Sequence, residues 1–204
     1  MKDLLSQLAA NAKIADQLWR AVHETAERRG RSEADRDIWI KACEEFHRTY
    51  PDLIFPWGYQ RWEAFLARDS SELDTAIAFL EVDPRFFRSG YLKQIIWDKL
   101  KRAELSPKQE RRIEAVALSY LQKRVQREFW HMTRYVRLRG SSIFWEALES
   151  IAAKRNGETS MKANWLLLAK KNIAVRQWVG HEFSRARYEP GYVPNLWLDH
   201  VVVR

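Results

Sequence analysis

Cysteine is almost missing from this chain of 204 residues. The single thiol, Cys43, excludes a disulfide scaffold and any multi-cysteine metal cage. Seven glycines and six prolines are too few for the many turns of a β-sandwich. No apolar run reaches the ~20 residues that a membrane-spanning helix needs. The first residues, Met1 to Leu8, lack the basic segment, apolar stretch and small-residue cleavage site of a secretion signal. These absences lead to the expectation of a cytoplasmic protein that makes no membrane contact. The glycine-rich phosphate loops, the G-x-S-x-G elbow and H-E-x-x-H are also missing, so no catalytic residue, cofactor or metal is expected.

What the chain does have is a core and a charge imbalance. It is 46% hydrophobic and 13% aromatic, which excludes disorder as the default state. The net charge is +8. Residues 1–84 hold 11 Lys and Arg against 16 Asp and Glu, a net of −5, while residues 85–204 hold 24 against 11, a net of +13. Either the two parts neutralise each other on folding, or the basic part binds a polyanion and gains free energy by releasing its counterions.

Apolar residues recur at helical spacing along nearly the whole chain. A first helix is predicted over 3–29, stopped by Gly30, and a second from Ser32, with Ile38, Trp39, Ala42, Cys43 and Phe46 facing inward. Two prolines and a glycine make 50–58 a loop. Shorter helices follow at about 59–67, 71–82 and 90–104. Ser106-Pro107-Lys108-Gln109 is the sharpest start signal, with a capping serine, proline at the first helical position and Gln three residues after the cap. No breaker occurs before Gly140, which predicts one helix over about 107–138, ~48 Å long at about 1.5 Å per residue. Two more helices open near Ser141 and Thr159, the last one interrupted at Gly180.

The expected fold is all-α, an irregular helical bundle or a short HEAT-like array of about seven or eight helices. Residues 1–187 are read as one helical domain, acidic over 1–84 and basic over 85–187, and residues 188–204 as a non-helical docked tail. The array reading rests on an echo: Ile95-Ile96-Trp97-Asp98-Lys99-Leu100 returns as Ile143-Phe144-Trp145-Glu146-Ala147-Leu148.

Around the predicted long helix, at about 100° per residue, Lys108, Arg112, Lys123, Arg127, Arg134 and Arg137 share one side. Ala117, Leu118, Leu121, Val125, Met132, Tyr135 and Val136 share the other. Trp130 stands among the cations, where an indole can stack on a base. The expectation is a non-enzymatic protein that binds nucleic acid through Lys108, Arg112, Lys123, Arg127, Trp130, Arg134 and Arg137. The alternative is a helical-repeat adaptor for a protein partner. A minor alternative comes from Arg124 and His131, whose separation is similar to the Arg-x(4–6)-His spacing of HEPN-type helical ribonucleases. Val125 stands where that family usually has a polar residue.

Overall fold

Two serines begin helices as their neighbours dictate. Ser32 Oγ accepts from the Asp35 amide at 3.0 Å and donates to the Asp35 carboxylate at 2.7 Å. The Ser106 amide donates to Gln109 Oε1 at 2.9 Å while the Gln109 amide reaches back to Ser106 Oγ at 3.3 Å, a reciprocal capping box. A computed structural model describes residues 2–54, 58–68 and 70–197. Among these residues there are ten α-helices, one 3-10 turn and no strand. No helix among them is long and apolar enough to cross a membrane. Asp199, His200 and Val201 to Val203 of the expected tail lie outside the described residues.

The chain divides into two compact units, Met1–Ile113 and Glu114–Arg204. The first contains α1 (Lys2–Ala26), α2 (Glu33–Leu53), α3 (Tyr59–Leu66), the 3-10 turn Ser70–Glu72, α4 (Leu73–Val82), α5 (Ser89–Leu100) and the start of α6 (Pro107–Tyr120). The second contains the rest of α6, then α7 (Phe129–Arg139), α8 (Ser142–Ala153), α9 (Gly157–Lys170) and α10 (Val175–Tyr188).

In the first unit α4 is the buried element. Leu73 and Ala76 to Leu80 are all buried where α4 packs on α1 and α5, and Asp74 and Glu81, seven residues apart, form its one charged edge. Burying side chains such as Ile77, Phe79 and Leu80 stabilises by roughly 1.5–3 kcal/mol each. Asp83, at φ 50, ends α4 in the left-handed conformation, and Pro84 prevents its continuation. Its carboxylate lies 2.5 Å from Lys93 Nζ on α5, a lysine only 1% exposed. An aromatic cluster ties the 83–88 segment to the first two helices. Trp19 stacks on Phe87 at 3.8 Å, and the Tyr50 hydroxyl donates to the Phe87 carbonyl at 2.7 Å. Burial pushes the Tyr50 phenol up to about 12.

In the second unit α9 is central and packs on α7, α8 and α10. Ala163, Trp165, Leu166 and Ala169 are its buried side, with Phe144, Trp145 and Leu148 on α8. Gly140 joins α7 to α8 because nothing larger fits there: a Cβ would stand 2.7 Å from the Val136 carbonyl and 3.0 Å from both Phe144 and Trp145. Glu114 accepts from the Ser141 amide at 2.7 Å and so helps start α8.

Four expectations are corrected. The stretch 107–138 is two helices, with non-helical residues 121–128 between them. The last predicted helix is also two, broken at Asn172 (φ 62), while α10 runs through Gly180 without interruption. These two breaks raise the helix count from seven or eight to ten. Helix α2 continues through Pro51 to Leu53, because a proline in the last turn removes only one hydrogen bond. Finally, of the residues expected on the inner side of α2 only Phe46 is buried, and Ile38 is 51% exposed. The main neighbours of α2 are α1 and α3, too few to cover its first half.

Because Asp83 and Lys93 are both largely desolvated, Lys93→Met leaves a carboxylate without its ammonium. The expected loss is about 3 kcal/mol or more in urea unfolding. Adding Asp83→Asn removes the stranded charge and recovers part of it; a double variant no more stable than Lys93→Met would show that the pair is not what that region depends on.

Candidate functional site

The break between α6 and α7 has a visible cause in α9. Lys162 is 3% exposed, and its ammonium lies 3.0 Å from Glu158 Oε2. It donates to the carbonyl of Lys123 at 2.8 Å and to that of Leu121 at 3.4 Å. A buried ammonium needs partners for its three N–H groups. Here it takes carbonyls that a continuous helix would have used for its own ladder. The chain then resumes as α7 at Phe129, with Glu128 buried immediately before it.

The break redistributes the residues predicted to share one surface. Lys108 is exposed on α6 in the first unit. Arg112 is also in the first unit and its charge is matched there. Its guanidinium meets both oxygens of Glu81 at 2.8 Å and Asp74 at 2.5 Å, and its side chain is 15% exposed. The Glu81 hydrogen bonds, with Asp74 adding, raise the Arg112 pKa above its usual value. Lys123 and Arg127 lie in the connection between α6 and α7; Arg127 is exposed, and the Lys123 ammonium sits 4.8 Å from the Tyr120 ring. Trp130, Arg134 and Arg137 share one side of α7 by their i, i+4, i+7 spacing, and the two arginines are exposed. The separation of Arg124 from His131 no longer places them on one helix. Arg124 is exposed in the connection, whereas His131 is buried in α7.

Trp130 has a structural neighbour that the sequence does not announce. Its ring stacks on Trp165 of α9, with centroids 6.0 Å apart and planes at 19°. Both indoles line a cavity of about 510 Å³ in the second unit. Met161, Val179, Phe183 and Leu196 complete its apolar wall, and Arg124, Glu158, Lys162 and Arg176 supply its charges. Glu158 and Lys162 form an ion pair, so the two guanidiniums are left as the unbalanced charge. The volume falls within the usual range for small-molecule sites.

Residues 189–197 are non-helical, and Leu196 among them reaches the cavity wall. Trp165 Nε1 donates to the Leu196 carbonyl at 2.6 Å, and Asn164 Nδ2 donates to that of Trp197 at 2.7 Å. Buried Glu182 holds the same segment, accepting from the Tyr192 hydroxyl at 2.5 Å and the Asn195 amide at 2.8 Å. The Tyr192 hydrogen bond, with the Asn195 amide and Arg185 adding, holds the Glu182 carboxyl below its usual 4.5. Comparison with protein-family models, with curated proteins and with solved structures finds no match for the chain.

Lys162→Met removes the donor from two carbonyls, at an expected cost of about 2–3 kcal/mol. It should also raise hydrogen exchange across 121–128. Unchanged exchange there would show that another contact holds the break. A depressed carboxyl contributes stability above its unfolded pKa and loses that contribution as pH falls through its folded value. Tyr192→Phe should therefore lower the melting temperature at neutral pH, and the gap from wild type should narrow as pH drops below 4.5. A gap that is constant with pH would contradict this account of Glu182.

Proposed function

We propose that the second unit binds a polyanion, and that the polyanion is nucleic acid. The observation that carries this reading is the state of the unit's charges. It holds 15 Lys and Arg against 8 Asp and Glu, a net of +7. Its carboxylates are largely engaged within the unit. Glu114 is bound by Ser141, Glu158 by Lys162, Glu182 by Tyr192 and Asn195, and Glu189 by Arg185. Glu146 and Glu149 are exposed on α8. Exposed Arg134 and Arg137 have no carboxylate within ion-pair distance among the described residues. Unmatched surface cations are what phosphate contacts require, because each one that meets a phosphate releases condensed counterions.

The first unit offers less. It holds 20 Lys and Arg against 19 Asp and Glu, a net of +1. The contact surface proposed for the second unit is centred on Arg134 and Arg137, with Trp130 on the same side of α7 and Lys123 and Arg127 of the preceding connection contributing their charge. A second reading, a helical-repeat adaptor for a protein partner, draws on Ile38 and Ile40 exposed on α2. It also draws on Trp97 and Trp145, buried in the matching Ile-x-Trp contexts of α5 and α8.

Fluorescence anisotropy with labelled DNA and RNA at rising salt tests the first reading. Four contacts give a log–log slope of about −3.6 on duplex DNA, at roughly 0.9 per phosphate. The double variant Arg134→Glu, Arg137→Glu should bind at least about tenfold more weakly, with a slope shallower by about 2 and unchanged helicity. No binding of any oligonucleotide at low salt removes this reading and leaves the adaptor.

A further inference from the structure

The cavity on α9 and α10 has three properties that belong together. Its aromatic wall is Trp130, half-buried and stacked on the buried Trp165. Its unbalanced charge is two guanidiniums, Arg124 and Arg176, both exposed and without a carboxylate partner among the described residues. Its wall also includes Gly180, in the interior of α10. A helix-interior glycine is about 1 kcal/mol less favourable than alanine. It is usually explained by a neighbour that leaves no room for a side chain. At Gly180 an added Cβ would meet nothing within 4 Å. Helix packing does not require the glycine, and the volume above it is open.

A flat apolar wall next to two guanidiniums matches a planar aromatic group that carries an oxyanion. Guanidinium is suited to phosphate oxygens through paired hydrogen bonds, and an indole wall accepts any base because every base has a π-face. Resting on the reading of the second unit as a nucleic-acid module, we propose that this cavity receives one unpaired nucleotide of the bound strand, its base against Trp130, which buried Trp165 backs, and its phosphate on Arg124 and Arg176. A paired and stacked base can enter only after it is unstacked, which costs a few kcal/mol. The module is therefore selective for single strands.

The test compares a fluorescein-labelled single strand with the matching duplex, as DNA and as RNA, on wild type and on Gly180→Phe. The new side chain has room at its Cβ and stands on the cavity's wall. Wild type should bind the single strand more tightly than the duplex. Gly180→Phe should lose about 5- to 150-fold on the single strand, the range that one stacked base accounts for, while the duplex affinity carried by Arg134 and Arg137 stays the same. Circular dichroism checks that Gly180→Phe folds. Should it not, Arg124→Ala with Arg176→Ala makes the same comparison from exposed positions and should likewise weaken the single strand more than the duplex. Equal affinity for both strand forms, with neither variant changing their ratio, overturns the cavity proposal and leaves the polyanion reading standing. Absence of binding to every oligonucleotide at low salt overturns both.

Discussion

One buried ammonium governs the geometry of the second unit. Lys162 cannot remain desolvated without acceptors, and it finds them in Glu158 and in the carbonyls of Leu121 and Lys123. Those carbonyls are thereby drawn out of the helical ladder. Everything C-terminal to them is set by where the chain resumes, and not by the helical phase of α6. The position of Trp130 beside Trp165, and of Arg124 on the cavity wall, both follow from that interruption. A single side chain on α9 thus decides which residues of the preceding forty can act together.

The same separation accounts for the charge pattern. The imbalance between 1–84 and 85–204 is partly absorbed inside the first unit, where Arg112 meets Asp74 and Glu81, and Lys93 meets Asp83. The acidic N-terminal stretch therefore has its counter-charges close at hand in 85–113. In the second unit the cations outnumber the acids even after Lys162 meets Glu158 and Arg185 meets Glu189, and other acids are occupied in capping and anchoring. Charge summed along a sequence is a poor guide to charge on a surface, because folding chooses which charges meet.

Much of the fold was legible in the residues. The caps at Ser32 and Ser106, the stop at Asp83-Pro84 and the start of α8 at Ser141 are local signals, and the structure has them. The break at 121–128 was not legible, since it contains no glycine or proline and its cause lies on another helix. Asn172 does carry a local signal: it follows Lys170 and Lys171, and a left-handed asparagine after a cationic last turn is a common helix end. Gly180 does not break α10, because the poor helix preference of glycine is too small to stop a helix packed on α9. The candidate site was legible only in part. Arg134 and Arg137 keep the side that their spacing implied, but Trp165, Arg176 and Phe183 reach the cavity through the α9–α10 turn, which no spacing rule foresees.

The anchoring of residues 189–197 has a consequence for how the protein is made. Leu196 is bound by Trp165, 31 positions earlier, and forms part of the cavity wall. Helices α7 to α9 can form and pack while the ribosome is still adding later residues, because all of their residues precede 171. The enclosure itself cannot. Until Leu196 has left the exit tunnel, the Trp165 indole N–H has only water to bond, and the nascent chain is a helical body that lacks one wall of the cavity.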